Sequence, residues 1–88
     1  MFTLGQMVAT PGALRALERN NQSPIEFLRR HANLDWGDLD EEDKRENDYS
    51  VVHGFRILSA YTLKDSTRIW IITEADRSAT TILLPSEY

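Results

Sequence analysis

Apolar residues in the C-terminal third of the chain follow the two-residue period of β-strands. Residues 68–73 and 80–84 are rich in β-branched and aromatic types and flank a charged connection, while residues 55–62 alternate ahead of them. Residues 64–66 have turn composition and separate the first run from the second. Alternating runs joined by short polar turns are typical of hairpins. We therefore predict a three-stranded antiparallel meander over these three runs.

The N-terminal half shows helix start signals followed by apolar residues three or four positions apart. Thr10 and Ser23 each precede a proline, and such hydroxyl residues cap helices whose first turn tolerates proline. Asp40 precedes a run of acids, which the positive end of a helix dipole favours. The three predicted helices cover about 11–19, 24–31 and 41–52. The last has a thin apolar side, mainly Tyr49 and Val52, and is predicted to lie on the surface.

Helices first and strands last predict an α+β fold in one domain, residues 1–88, because a chain of this length supports a single modest core. An extra short strand at residues 4–9 is left open, since no polar face sets its register. Residues 69–72 direct large apolar groups to both faces of the middle strand. We expect the helices to cover one face, and either more of the chain or a second copy to cover the other.

Composition excludes several kinds of site. The chain has no cysteine, which excludes disulfides, zinc-thiolate sites, iron–sulfur clusters and thiol catalysis. No apolar run approaches the ~18 residues that a membrane span needs, and the first residues do not have the pattern of a signal peptide. His31 and His53 each end a predicted helix, where the dipole accounts for a positive group. We expect a cytoplasmic protein with no metal, cofactor or membrane segment.

The net charge of −4 conceals one strongly acidic segment. Residues 1–34 hold four arginines and two glutamates, residues 35–54 hold eight acids against two basic residues, and residues 55–88 balance four against four. Any argument about binding therefore starts from the middle segment and not from the overall charge.

Three interpretations of this acidic segment are open. An EF-hand calcium loop starting at Asp35 fits poorly, because Gly37 and Leu39 stand where ligands belong. A capped, solvated helix start explains the acids without a ligand. A functional interpretation is an acidic face that binds a basic protein or imitates the phosphate row of a nucleic acid. Its candidate binding residues are Asp35, Trp36, Asp38, Asp40, Glu41, Glu42 and Asp43.

The connection between the last two predicted strands carries Glu74, Asp76 and Arg77. Two carboxylates can act as an acid and a base while an arginine binds an anion, so a small hydrolase or nuclease is one interpretation of this tip. We favour the other, a tight turn in which Asp76 accepts local N–H bonds and Arg77 pairs with a nearby carboxylate. A basic face on the first two helices leaves weak nucleic-acid binding as a further alternative: Arg15, Arg19, Arg29 and Arg30.

The chain also carries six segments distributed from residue 4 to residue 85: LGQ at 4–6, VATPGAL at 8–14, DWGDL at 35–39, EDK at 42–44, WIITEADRS at 70–78 and TTILLP at 80–85. In these segments it resembles a family of small bacterial proteins carried on plasmids and integrated elements. Members are labelled plasmid-related or, in some cases, type I restriction enzyme subunit M. The resemblance implies a mobile-element setting but no established activity, cofactor or catalytic residue. The restriction label does not fit this chain, which lacks the glycine-rich cofactor site of a DNA methyltransferase and is too short for that fold.

These observations predict a non-catalytic protein-interaction module acting in mobile-element maintenance or counter-defence. It would capture a protein partner through the acidic segment or the hairpin tip. A homo-oligomer is left open, and nucleic acid is not the expected partner. The alternative is a small hydrolase or nuclease that uses Glu74 and Asp76, with Arg77 holding a phosphate.

Overall fold

The computed structural model describes residues 2–88, which form an α+β fold of three helices and four strands. In chain order the elements are β1 (Gln6–Ala9), α1 (Pro11–Arg19), α2 (Pro24–Ala32), α3 (Glu41–His53), β2 (Ile57–Thr62), β3 (Arg68–Thr73), β4 (Ala79–Leu83) and a 3-10 turn (Pro85–Glu87). The predicted helices are confirmed within one residue at each end.

The strands form one mixed sheet in the order β1-β4-β3-β2. In the antiparallel meander of β2, β3 and β4, Ile71 lies opposite Ser59 on one side and Ile82 on the other. β1 runs parallel to β4, with Val8 opposite Thr81. The predicted three-stranded meander is therefore confirmed, but the sheet has four strands and is mixed, because the short strand left open at residues 4–9 is present as β1 and pairs in parallel. Local alternation predicts each strand, but the pairing of β1 with a strand near the other end of the chain depends on tertiary packing.

Side-chain caps begin the helices at the residues expected from the sequence. The Thr10 hydroxyl accepts a hydrogen bond from the N–H of Ala13 at 3.2 Å, and the Asp40 carboxylate accepts one from the N–H of Asp43 at 2.8 Å. The Ser23 hydroxyl likewise caps α2. Each bond satisfies an N–H that the first turn of a helix leaves without an intrahelical acceptor.

One face of the sheet packs against α1 and α2 and forms the core. Its largest buried members are Leu17, Phe27, Tyr61, Ile69, Ile71 and Ile82. The C-terminal residues cover part of the second face, where the Tyr88 ring packs edge-on against Trp70 at 5.8 Å and its hydroxyl accepts a hydrogen bond from Arg56. Ile72 and Leu83 are buried on that face. Residues of the same chain therefore cover both sides of the middle strand at its centre.

Among the residues described, no helix combines the length and the apolar character needed to cross a bilayer.

Candidate functional site

Helix α3 is attached to the rest of the domain by polar side chains. Its two buried residues are Asn47 and Ser50. The Asn47 amide donates to the Leu58 carbonyl at 2.6 Å and accepts from the Leu58 N–H at 3.3 Å, so this side chain pairs with β2 as another strand would. The amide satisfies backbone groups at an edge strand that would otherwise need a partner.

The loop before α3 strengthens this attachment. Trp36 is only 3% exposed, and its indole N–H donates to the Asp48 carboxylate at 2.9 Å. The next residue, Gly37, has φ 72° and forms a parallel bridge with Ala60. A Cβ at Gly37 would lie 1.9 Å from the Ala60 carbonyl oxygen, so only glycine allows the loop to approach β2 this closely.

The aromatic and aliphatic residues of α3 and of the segment just after it face solvent. Tyr49 is 55% exposed, Val52 77% and Phe55 53%. The Tyr49 ring stacks on His53 with centroids 4.0 Å apart and on Phe55 at 6.0 Å. A helix that buries an amide and a hydroxyl while it exposes its aromatic ring reverses the usual amphipathic arrangement.

We call this surface the α3 outer face and define it by six residues: Glu42, Arg45, Glu46, Tyr49, Val52 and Phe55. Four of them, Glu42, Arg45, Glu46 and Tyr49, line a shallow hollow of about 320 Å³. The face therefore combines an aromatic stack at one end with carboxylates at the other. Sequence reasoning placed the acids of the first turn in the candidate site and missed the face itself, although Tyr49 and Val52 stood out in the pattern.

Some of the acids predicted to bind a partner make contacts within the domain, and the others are exposed. Asp35 accepts from the Arg30 guanidinium at 2.8 Å, and this bond holds the pKa of the Asp35 carboxyl below its usual range. Asp38 accepts from the Thr62 hydroxyl at 2.7 Å, and Asp40 is the cap of α3. Glu42 and Asp43 are exposed in the first turn, but only Glu42 lines the hollow of the outer face.

Trp36 and Glu41 complete that predicted set. Trp36 lies in the interior and cannot contact a partner while the domain is folded. Glu41 is exposed and lies 3.7 Å from Lys44, one turn along the helix. The structure therefore gathers the predicted acids around the start of α3 but directs few of them toward one surface.

The predicted tip residues are held by the backbone. The Arg77 guanidinium donates to the carbonyls of Phe55 at 2.7 Å, Ser50 at 2.9 Å, and Glu74 and Ala75 at 3.2 Å. It thus ties the β3–β4 turn to the end of α3 and the start of β2. The four bonds direct both terminal nitrogens of the guanidinium to backbone carbonyls, so the prediction that Arg77 pairs with a nearby carboxylate is wrong.

The two carboxylates of the tip differ in their contacts. Asp76 accepts from the N–H of Ser78 at 3.0 Å, and the hydrogen bonds from Ser78 keep the pKa of the Asp76 carboxyl below its usual range. Glu74 is exposed, and its carbonyl accepts from the Arg77 N–H at 2.9 Å. Glu74 lines a hollow of about 240 Å³ together with Arg56 and Glu87, but Asp76 does not line it. The tip therefore has the bonding of a tight turn, and its two carboxylates do not converge on one cavity.

A buried polar chain crosses the core from α2 through the sheet, and sequence reasoning missed it. The fully buried His31 ring contacts Ser59 Oγ through Nδ1 at 2.6 Å and Thr73 Oγ1 through Nε2 at 2.8 Å. Thr73 Oγ1 lies 2.8 Å from Thr80 Oγ1, which donates to the Leu4 carbonyl at 2.7 Å. Four strand or loop segments are thereby joined to α2 by one continuous set of hydrogen bonds.

The direction of these bonds selects one form of the imidazole. Because the Leu4 carbonyl can only accept, Thr80 donates to it and Thr73 donates to Thr80. Thr73 then has no proton left for His31, so Nε2 carries the proton and donates it to Thr73. Because burial lowers the pKa of His31, Nδ1 carries no proton at neutral pH and accepts from Ser59. The ring is the neutral Nε2–H tautomer with both nitrogens satisfied.

Burial lowers the pKa of His31 from 6.5 to about 4, in agreement with that neutral form. The rings of Phe2 and Trp36 pack edge-on against the imidazole at 5.4 and 5.7 Å and enclose it further. The prediction that His31 acts as a positive group at a helix end is therefore wrong, because the ring points into the core. His53 is exposed and stacks on Tyr49.

The arginines of the predicted basic face are partly paired. Arg19 contacts Asp65 at 3.0 Å and Arg30 contacts Asp35 at 2.8 Å, while Arg15 and Arg29 are exposed. Within residues 2–88, no group of three or more histidine, aspartate or glutamate residues is arranged to hold a metal ion. In comparisons with protein-family models, curated proteins and solved structures, nothing matches this chain.

Proposed function

We propose that this protein is a non-catalytic interaction module that binds a basic protein segment through the α3 outer face. The observation that carries the proposal is the reversed burial of α3, with Asn47 and Ser50 inside and Tyr49, Val52 and Phe55 outside. Single exposed apolar residues are ordinary, but an aromatic stack beside them on a helix fixed by polar contacts is a surface suited to a partner.

Charge specifies the chemistry of that partner. Helix α3 carries five acids against Lys44 and Arg45, and Glu42 and Glu46 border the hollow beside the Tyr49 ring. A lysine or arginine side chain in that hollow would meet carboxylates and an aromatic face together, which favours a cation. Arg45, on the same rim, disfavours a partner whose basic residues are evenly spread. The expected partner therefore places one or two cationic residues next to an apolar one.

Rigid attachment supports the same conclusion. The outer face is held in place by the bonds from Asn47 to β2, from Trp36 to Asp48, and from Arg77 to the end of the helix. A preordered helix binds with a smaller loss of conformational entropy than a mobile segment. A role in mobile-element maintenance or counter-defence stays a prediction from the resemblance. The hydrolase alternative also stays a prediction, which the contacts of Arg77 do not support.

The test is selection of random peptides displayed on phage against the immobilised protein. We expect the recovered peptides to combine arginine or lysine with apolar residues. Their binding should weaken as salt is added, because the contact includes exposed charges. On the labelled protein, amide chemical shift changes produced by a recovered peptide should concentrate in residues 42–55.

Matched variants separate this surface from general charge effects. The double variant Glu42→Lys with Glu46→Lys should lose the selected peptides, whereas Glu18→Lys with Glu26→Lys makes the same change in net charge on α1 and α2 and should keep them. Val52→Ser should weaken binding more than Ile25→Ser, which alters an exposed residue of α2. Equal binding to both charge-reversed proteins, or shifts centred away from α3, would refute the proposal.

A further inference from the structure

The two edges of the sheet differ in how far their backbone groups are covered by other residues. At the β2 edge, the N–H of Asp38 donates to the Ala60 carbonyl at 2.8 Å and the N–H of Ala60 donates to the Trp36 carbonyl at 3.3 Å. Farther along the same edge, Asn47 pairs with Leu58. Loop and side-chain contacts therefore cover the outward-facing backbone groups of Leu58 and Ala60, at the centre of this edge.

The β1 edge has no such cover in the described part of the chain. Gln6 donates its N–H to Ser78 and Thr10 donates its N–H to Ile82, both at 3.0 Å, so these residues direct their backbone groups toward β4. Since backbone direction alternates along a strand, the N–H and C=O groups of Met7 and Ala9 point away from the sheet. β1 is the last strand in the order, and no other strand of residues 2–88 pairs with that side.

The outer edge of β1 also lacks most features that prevent strand pairing. Proteins protect exposed edges with charges, prolines or bulges, or by keeping the strand short. β1 contains no charged residue and no proline, and Met7 and Val8 are 56% and 43% exposed. Only its length of four residues limits pairing. The edge is thus uncharged and partly apolar, with backbone donors and acceptors available.

We propose that two copies of this chain associate by antiparallel pairing of β1 with β1 of the second copy, around a two-fold axis at Val8. Met7 then lies opposite Ala9 of the other copy, and the two such pairs make four backbone hydrogen bonds. The two Val8 side chains meet on the same face at the centre. The result is one continuous eight-stranded sheet, in which each copy contributes the same surface.

The charge distribution suits a second copy of the chain at this edge. Each chain has a net charge of −4, so association is opposed wherever acidic surfaces approach each other. The acids of α3 lie along β2, at the opposite edge of the sheet from β1. Pairing through β1 therefore joins the uncharged edges and keeps the acidic helices far apart. Both α3 outer faces remain free.

The small contact sets the strength of this association. Four backbone bonds and one valine pair form a smaller interface than stable dimers use, so the dimer should depend strongly on concentration. The inference does not rest on the proposed function, since it involves a different edge and a different partner. If both hold, the dimer presents two binding faces, and a partner with two basic segments would bind it more tightly than the monomer.

Cysteine crosslinking tests the register directly, because the chain has no cysteine of its own. In the proposed pairing the two residues at position 8 form a non-hydrogen-bonded pair with Cα atoms roughly 4.5 Å apart, within the range of a disulfide. The residues at position 7 are offset along the strands and lie beyond that range. Mild oxidation at high protein concentration should therefore crosslink Val8→Cys and leave the matched control Met7→Cys largely monomeric.

Charged substitutions at position 8 provide a second test, in which analytical ultracentrifugation of the full chain measures the molecular mass. The wild type should shift toward twice the monomer mass as its concentration rises to millimolar. Val8→Lys and Val8→Glu should each lose this shift, since like charges would face each other across the axis. An equal mixture of the two variants should regain it. Circular dichroism should show that both variants keep the fold, because Val8 is 43% exposed and lies outside the buried core.

The opposite results would overturn the proposal. Equal crosslinking at positions 7 and 8 would show random collision and not the proposed register. A constant monomer mass at all concentrations would exclude the dimer. A dimer that persists in Val8→Lys would place the contact on another surface of the molecule.

Discussion

Acidification to pH 5.5 should destabilise the protein. Among the groups whose pKa the fold shifts, His31 is the one that causes this loss of stability. In the unfolded chain this imidazole titrates near 6.5, whereas in the fold its pKa is about 4. Between these values the unfolded state binds more protons than the native state, so the free energy of unfolding decreases as the pH falls. The contribution of His31 to the free energy of unfolding is fully present above pH 6.5 and is lost progressively as the pH falls toward 4.

The magnitude follows from the difference between the two pKa values. Each unit corresponds to about 1.4 kcal/mol, so the full loss across the interval is about 3 kcal/mol. At pH 5.5 the linkage relation gives about 1.4 kcal/mol, and at pH 5.0 about 2 kcal/mol. The pKa values of Asp35, Asp65, Asp76 and Glu87 are also lowered, but the stability that they contribute is lost mainly below pH 5. The interval from 7.0 to 5.5 therefore isolates His31.

Urea unfolding at several pH values, followed by the fluorescence of Trp36 and Trp70, measures this slope. His31→Gln should lower stability overall and abolish the slope between pH 7.0 and 5.5. His53→Gln, a change at the exposed histidine of α3, should keep it. If His31→Gln does not fold, nuclear magnetic resonance titration of the wild type gives the pKa and the tautomer directly. A His31 pKa near 6.5, or unchanged stability down to pH 5.5, would refute the reasoning.

Three substitutions test the contacts that position α3, each measured by chemical unfolding. Asn47→Ala should cost about 2 kcal/mol, because it removes two hydrogen bonds and leaves both backbone groups of Leu58 without that partner. Gly37→Ala should cost about 2 kcal/mol or more, since its Cβ would collide with the Ala60 carbonyl and its φ is positive. Arg77→Lys should cost about 1 kcal/mol and accelerate amide exchange at the end of α3, because one ammonium cannot span four carbonyls. Costs below about 0.5 kcal/mol would contradict these assignments.

Most local structure could be predicted from contiguous residues. Thr10, Ser23 and Asp40 mark the helix starts because each cap acts on an N–H only two or three positions away. Alternation predicted the three strands of the meander, although β2 begins at Ile57 and leaves Phe55 exposed before it. These features depend on side chains close in sequence, and the same side chains are close in space.

The candidate site could be predicted only in part, because its orientation depends on distant partners. Tyr49 and Val52 were visible as the apolar side of α3, and the usual rule would direct them inward. In the fold, Asn47 faces inward because its amide hydrogen-bonds to the edge of β2. The ring of Tyr49, on the other side of the helix, therefore lies in solvent. Trp36 shows the same dependence on distant partners. It stands among acids in the sequence and is predicted at a binding surface, whereas in the fold its indole contacts His31 and Asp48.

The sequence by itself determined the three helices, the meander and the acidic segment, since each is encoded in a run of adjacent residues. Tertiary structure alone decided the parallel addition of β1, the neutral His31 and the outward direction of α3's aromatic residues. The physical reason is common to all three. A backbone edge, an imidazole or an amide is satisfied by whichever groups the fold brings within about 3 Å, and those groups lie far away along the chain.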